Sequence, residues 1–377
     1  MSYIETTAQR ELQEAARAVV HEVIEPAVTR LGPATRMPAV ELTRFYKALA
    51  PLGYVGSTLP ASVGGPGLTY VDFGLLIEAL GCSPVALDEV VPPRTIYYLG
   101  NDAQRARWLP SLLSGNRVSA AAITEPQAGS DMRAFTCRAE LRGDHYLVNG
   151  RKRWIKLGAT SDLMTLMVVD ASGGLSRLVV ERAESAWHSV PIDTVGMRTI
   201  DITELVFENV RVPRENLLGS SGQGAEQFHR GIESSRALIG IQACGIARHA
   251  LDIAISYARE RKAFGKPIAK FQAIQTALAI AETRLQAARL LCLSALARLD
   301  AGQRAPKEVS MAKSFAVEAA VSACLAAMES MGAWGLATDA GVERCWRDCA
   351  MLTAIDGTAN IQRLIVGREL LGMAAFS

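Results

Sequence analysis

Residues 119–150 read SAAAITEPQAGSDMRAFTCRAELRGDHYLVNG, and this stretch decides the fold, because the texture of the chain changes within it. Ser119–Thr124, Ala134–Leu141 and His145–Val148 are short runs bounded by turn formers, the pattern of strands rather than helices. Leu163–Val169, Leu178–Glu181 and Glu204–Val212 continue the series. Arg142-Gly143-Asp144, Asn149-Gly150 and Ser172-Gly173-Gly174 stand between the runs. Asn149-Gly150 predicts a tight hairpin, since both residues tolerate positive φ. Residues 118–226 are therefore expected to form a compact β-domain, a barrel or a sandwich.

Both flanks read as helical. In residues 1–117, Leu12, Ala15, Ala16, Val19 and Val20 recur at helical spacing, as do Val40, Leu42, Phe45, Tyr46 and Leu49. Breakers fall at Leu31-Gly32-Pro33 and Gly64-Gly65-Pro66-Gly67, and Val71–Leu80 and Asp102–Leu113 are further candidate helices. In residues 227–377, Ser234–Glu260, Ile268–Asp300, Pro306–Met331 and Gly341–Leu352 are long, Ala-rich and periodic. With short connections they predict an antiparallel four-helix bundle. The expected fold is thus α+β and mainly α: an N-terminal helical domain (1–117), a middle β-domain (118–226) and a C-terminal bundle (227–377). No βαβ alternation is present, and Gly219–Gly224 lacks the spacing of a dinucleotide-binding turn. Any cofactor binds by another scheme.

Composition narrows the function classes. A formal charge of +2 and 6% aromatic residues give no basis for a nucleic-acid partner. The seven cysteines form no CxxC and histidines are few, so buried thiols are expected in place of a metal site. The N-terminus carries acidic residues and no apolar signal region, and the apolar run Ala237–Ala247 is too short to span a bilayer. A cytoplasmic protein without a membrane span is expected.

Chemistry concentrates in a few segments. Thr124-Glu125-Pro126-Gln127-Ala128-Gly129-Ser130-Asp131 packs hydroxyls, a proline-fixed turn and a glycine into eight residues after a strand. Such a loop either presents N–H groups and hydroxyls to an anion or ring carbonyl, or is a polar turn capped by Ser130 or Asp131. Further segments are Tyr146–Ile155, Gly196–Thr199, Val212-Pro213, Asn216–Gly219, Tyr257–Ile268 with Phe271-Gln272, and Asp356–Arg363. In this order and at these separations, the chain resembles the acyl-CoA dehydrogenase family nearly end to end.

The resemblance implies an FAD enzyme and assigns roles by position. Thr124 would bond the pyrimidine end of the flavin, Gly129 and Ser130 would lie at the pyrophosphate, and Trp154 would stack on the isoalloxazine. Arg261, Phe264 and Gln272 would bind the adenine-diphosphate half of an FAD held by a neighbouring subunit, Arg261 through its phosphate-matching fork. Thr358 and Asn360 would touch FAD near the same junction, and Glu329 and Gly332 would lie near its adenosine. Shared sites of this kind imply a homo-oligomer, a dimer or a tetramer. Asp356 would be the base that faces the substrate α-carbon, with flavin N5 accepting hydride from the β-carbon, and Gly357 and Arg236 would contact substrate.

Four positions depart from the family pattern. Asp356 stands where Glu is usual, which withdraws the carboxylate by roughly 1–1.5 Å, and a misplacement near 1 Å costs about 10²-fold. Glu233 is a reserve base. Lys156 replaces a Thr beside flavin N5; it either points inward, favouring reduced anionic flavin, or snorkels to solvent. Glu329 replaces Gln, and Ala333 replaces a Gly. The loop Cys82–Pro93 is expected to line the acyl pocket; Asp88 and Glu89 within it are either solvated turn residues or acids that reach the pocket and imply a polar or unusual acyl group. The implied reaction is α,β-dehydrogenation of an acyl thioester of CoA or an acyl carrier protein, with an acceptor such as an electron-transfer flavoprotein. The alternatives are a flavin oxidase of the same fold, resembling nitroalkane oxidase, in which Asp is the base, and a catalytically weak or non-catalytic subunit of a mixed oligomer.

Overall fold

Polar caps start several helices of the N-terminal region. Thr6 and Gln9 form a reciprocal capping box at the head of α1 (Thr7–Val19), and Asn101 and Gln104 do the same for α6 (Asp102–Leu113). Between them lie α2 (Glu25–Leu31), α3 (Ala39–Leu49), α4 (Tyr70–Ala79) and α5 (Val91–Leu99). Residues 4–373 and 375 are described in this computed structural model. Helix α5 begins inside the segment expected to be a loop: Pro92 and Pro93 sit in its first turn, where their missing N–H groups cost nothing.

The middle region is one eight-stranded mixed sheet. Its strands are β1 (Ser119–Ala122), β2 (Arg138–Arg142), β3 (His145–Lys156), β4 (Leu163–Val169), β5 (Leu175–Glu181), β6 (His188–Pro191), β7 (Ile202–Pro213) and β8 (Leu217–Leu218). The strand order is β6-β7-β3-β2-β4-β5-β8, with β1 parallel to β4. The expected hairpin at Asn149-Gly150 does not form. The chain turns at Gly143 instead, and β3 runs through both residues with a bulge against β7. Gly150 has φ +142, and a side chain there would strike Cys137 Cα at 2.5 Å, so the glycine serves close strand packing rather than a turn.

Helix α7 (Gly224–Glu260) starts ten residues before the expected Ser234. It packs with α8 (Gln272–Asp300) and α9 (Pro306–Ser330), while α10 (Val342–Leu352) and α11 (Ala359–Leu371) both lie on α9. Gly231–Glu260 and Pro306–Ser330 are long and apolar enough to cross a membrane by length and composition, so the apolar stretch in α7 exceeds the run read from sequence. Both are mostly buried in this bundle. The N-terminal helices and the bundle share one core, from Ala16 and Leu76 to Ile241 and Cys349, joined by Met197 and Ile200 of the sheet domain. At its centre α4 and α7 touch through glycines: a Cβ on Gly245 would meet the Glu78 carbonyl oxygen at 2.1 Å. This close approach sets the segment after α4, residues 83–90, against α7.

Candidate active site

The loop after β1 is fixed from beneath by an ion pair. Lys152 and Glu125 are 0% and 2% exposed, and Lys152 Nζ lies 2.8 Å from Glu125 Oε1. Glu125 also accepts from the N–H groups of Thr136 at 2.7 Å and Cys137 at 3.0 Å. Burial works against this carboxylate, but Lys152 and these hydrogen bonds overcome it and hold its pKa below the usual value. Arg153 N–H donates to the Thr124 carbonyl at 2.8 Å, tying the loop to the end of β3. Asp131, and not Ser130, caps the short turn at Met132–Ala134. The hydroxyls of Thr124 and Ser130 have no hydrogen-bond partner among the described residues. Gly129 folds over Thr124, where a Cβ would stand 3.4 Å from Thr124 Cγ2.

Trp154 follows on the same strand. Its φ of +64 breaks the regular β3 path, and its indole is 53% exposed. The Arg153 guanidinium lies over this ring at 5.0 Å, and an exposed, flat, apolar ring fits the face of a flavin.

Two residues further, Lys156 turns inward. It pairs with Asp88 of the segment after α4, so the snorkelling alternative is not the one adopted. Burial lowers the Lys156 pKa to about 8, opposed by the charge of Asp356. Asp88 is buried and the Glu89 side chain is only 7% exposed, correcting their reading as solvated turn residues. Glu89 binds Arg94 of α5 at 2.7 Å and accepts from Ser235 Oγ of α7 at 2.5 Å. Arg94 in turn donates to Ser234 Oγ, to Ser235 Oγ at 3.2 Å and to the Gly231 carbonyl at 3.1 Å.

Asp356 lies on the connection between α10 and α11 in the left-handed region (φ +54), a conformation that non-glycine residues hold only when their surroundings enforce it. Its carbonyl accepts from Arg236 Nε at 3.4 Å and Gln362 Nε2 at 3.1 Å. The Gly357 carbonyl accepts from Gln362 at 3.2 Å and from Lys313. Burial raises the Asp356 pKa, and Lys313, Arg236, Lys156 and Arg94 pull it back. Lys313 is itself lowered to about 8 by burial. The reserve base Glu233 is tied to Arg304 Nε at 2.6 Å and to the Ala305 N–H at 3.1 Å, at the head of α9.

The remaining candidate residues lie on the surface. Arg261, Phe264 and Gln272 project from the turn between α7 and α8, where Phe264 is 94% exposed with φ +48. Glu329, Gly332 and Asn360 are exposed, as is Thr358, whose hydroxyl caps α11. So Arg236 is bonded to the Asp356–Gly357 loop and the charge of Lys156 acts on Asp356, while Thr124, Gly129 and Trp154 lie on the sheet domain. Lys313, Gln362, Arg94 and the Glu125–Lys152 pair were not singled out from the sequence. The signal was there for two of them: Lys152 and Lys313 are lysines at inward positions of β3 and α9. Among the described residues no group of His, Cys, Asp and Glu is placed to hold a metal ion.

Comparison with known proteins covers the same ground. Models of the acyl-CoA dehydrogenase N-terminal, middle and C-terminal domains match residues 6–116, 120–210 and 222–371. A 3-(aryl)acrylate reductase of Clostridium sporogenes is 33% identical over 97% of this chain and 99% of its own. A solved glutaryl-coenzyme A dehydrogenase in its glutaryl-CoA complex is 32% identical, with a TM-score of 0.92 over 99% of this chain and 97% of that one. A glutaryl-CoA dehydrogenase from Mycobacterium smegmatis in complex with FADH2 is 25% identical, with a TM-score of 0.91 over the same shares, 99% and 97%. Helices, sheet domain and bundle are thus matched in order and nearly end to end, and the chain belongs to the acyl-CoA dehydrogenase family of flavin-dependent oxidoreductases.

Proposed function

We propose that this enzyme uses FAD to dehydrogenate an acyl thioester between its α and β carbons, with Asp356 removing the α-proton. The observation that carries this reading is the setting of Asp356: a half-buried carboxylate with a raised pKa, on a left-handed backbone, under the charges of Arg94, Lys156, Arg236 and Lys313 from all three regions of the chain. A raised pKa makes a carboxylate a stronger base once ionised. Its backbone N–H has no acceptor among the described residues, which leaves it free to donate to the thioester carbonyl and acidify the α-carbon. The cofactor, when bound, supplies a hydride acceptor at N5 for the β-carbon. Thr124, Gly129 and Ser130 hold it, Trp154 covers the ring, and Lys156 sets its electrostatics.

Arg261, Phe264, Gln272, Glu329, Gly332, Thr358 and Asn360 serve an FAD shared between subunits of a homo-oligomer. The exposure of Phe264, with Trp334 and Leu336 at 46% and 69%, supports a covered surface here. Light scattering on purified protein is expected to give a dimer or tetramer, and Phe264→Asp is expected to lower both assembly and FAD content. CoA or an acyl carrier protein delivers the thioester, and an electron-transfer flavoprotein or similar acceptor removes the electrons. The seven cysteine thiols, of which six are buried, suit a reducing cytoplasm.

The pH dependence has a definite sign. Asp356 acts only when ionised, so kcat/KM is expected to rise about tenfold per pH unit below its raised pKa and then level off. Anaerobic titration of the yellow protein with acyl thioesters across pH tests both points: flavin absorbance bleaches and the rate climbs with pH. Oxygen consumption without another acceptor would point to an oxidase instead.

A further inference from the structure

We infer that Lys313 is a positioning residue for the base: from the bundle it fixes the Gly357 carbonyl and sets a positive charge behind the Asp356 carboxylate, so that the loop presents an ionised base at a fixed place. This rests on the assignment of Asp356 made above and adds the residue that serves it.

The backbone at the base has to be held from outside. Asp356 and Gly357 both stand at positive φ, +54 and +97, and no regular ladder supports them. Helix α11 begins at Ala359 and reaches back with Gln362, whose side-chain amide donates to the Asp356 carbonyl at 3.1 Å and to the Gly357 carbonyl at 3.2 Å. That reach uses the room a glycine leaves, since a Cβ on Gly357 would stand 2.9 Å from Gln362 Nε2. The ties from outside this segment are Arg236 of α7, on the Asp356 carbonyl, and Lys313 of α9, on the Gly357 carbonyl. The Arg236 bond, at 3.4 Å, is at the limit of a hydrogen bond, so Lys313 makes the main tie to the bundle.

A lysine is a costly choice for that tie. Lys313 is 2% exposed, and its buried neighbours on α9 include Val309, Ala312, Ala316 and Val317. Helix α7 closes on it at Gly240, where a Cβ would stand 3.4 Å from Lys313 Cα. Its Nζ has one hydrogen-bond partner among the described residues, the Gly357 carbonyl, which Gln362 already serves. Burying an ammonium on a single shared carbonyl costs more than that bond returns. An apolar side chain of similar length would suit the fold as well or better. The charge acts on Asp356 instead. Lys313 leads the cations that draw this carboxylate toward its ionised form, ahead of Arg236, Lys156 of β3 and Arg94 of α5. Asp356 in turn is the group that sustains the Lys313 charge against burial. The carboxylates that share this field, Glu89 and Asp88, are tied to Arg94 and Lys156.

The test needs no substrate for its main readout. Aspartate carboxyl carbons are labelled with ¹³C in the FAD enzyme, Asp356→Asn identifies the Asp356 signal, and its titration is followed by NMR. Lys313→Met and Lys313→Gln are expected to move the Asp356 midpoint up by about one pH unit, and Lys313→Arg to leave it near its original place. Gln keeps an N–H donor without the charge, so a shift there separates charge from hydrogen bonding. Urea unfolding is expected to show the Lys313→Met midpoint unchanged or raised. Anaerobic bleaching by butyryl-, isovaleryl- or octanoyl-CoA, whichever is fastest, is expected to need higher pH in both uncharged variants. An Asp356 titration unmoved in Lys313→Gln overturns the proposal, and a fall in the urea midpoint beside it would mark Lys313 as a structural residue. Bleaching that survives in Asp356→Asn overturns the base assignment instead, whatever the Lys313 variants do.

Discussion

Asp356→Asn is expected to retain bound, yellow FAD and to lose flavin reduction by about a hundred- to ten-thousandfold, the usual contribution of a positioned general base. Asn keeps the shape of Asp and leaves the backbone contacts in place. Arg236 and Gln362 hold the residue 356 carbonyl, and Lys313 and Gln362 the Gly357 carbonyl, so none of these bonds depends on the carboxylate. What changes is the capacity to accept a proton. Asp356→Glu asks a different question, because it lengthens the arm by roughly the 1–1.5 Å that separates this chain from its family's usual residue. If the loop is set for the shorter side chain, Glu reduces the rate too. Stopped-flow absorbance against the same thioester reads both variants.

Lys152→Met is expected to be the most destabilising single change at the cofactor loop, by about 3–5 kcal/mol, because it leaves the buried Glu125 carboxylate without its counter-charge. The double variant Lys152→Met with Glu125→Gln is expected to recover part of that loss, since no net charge then stays buried. Urea unfolding measures the difference directly. FAD content reports the consequence, because Glu125 anchors the Thr136 and Cys137 N–H groups beneath the Thr124–Ser130 turn. A loss below about 1 kcal/mol would mean that the pair is solvated, as surface pairs are.

Much of the fold was legible because local pattern and tertiary outcome agree. The switch from helical to strand spacing near residue 118 and back near residue 227 is written in periodicity, and strands and helices follow it, although α7 begins ahead of the periodic run, at Gly224. Asn149-Gly150 was misread for a physical reason. A glycine with positive φ serves a turn or a close strand contact equally well, and only the neighbour, Cys137, distinguishes them. Pro92-Pro93 likewise ends the segment read as the acyl-pocket loop but lies in the first turn of a helix. At the site, Asp356, Arg236 and Lys156 came from resemblance, as did the residues expected to hold a flavin, whereas Arg94 and Lys313 as charged neighbours of Asp356 did not. Asp88 and Glu89 look like turn residues because their partners, Lys156, Arg94 and Ser235, are distant in sequence. Long-range pairing of that kind leaves no periodic trace. Lys313 did leave one, as a cation on the apolar face of α9 between Val309 and Ala316.

Solvent exchange at the α-carbon tests the role of Asp356 most directly, because it reads proton removal apart from electron transfer. In deuterated buffer, without an electron acceptor, the enzyme is expected to place deuterium at the α-carbon of a bound thioester, and Asp356→Asn with FAD bound is expected to place none. Undiminished exchange in that variant would contradict the assignment and move the base to another group of the cleft.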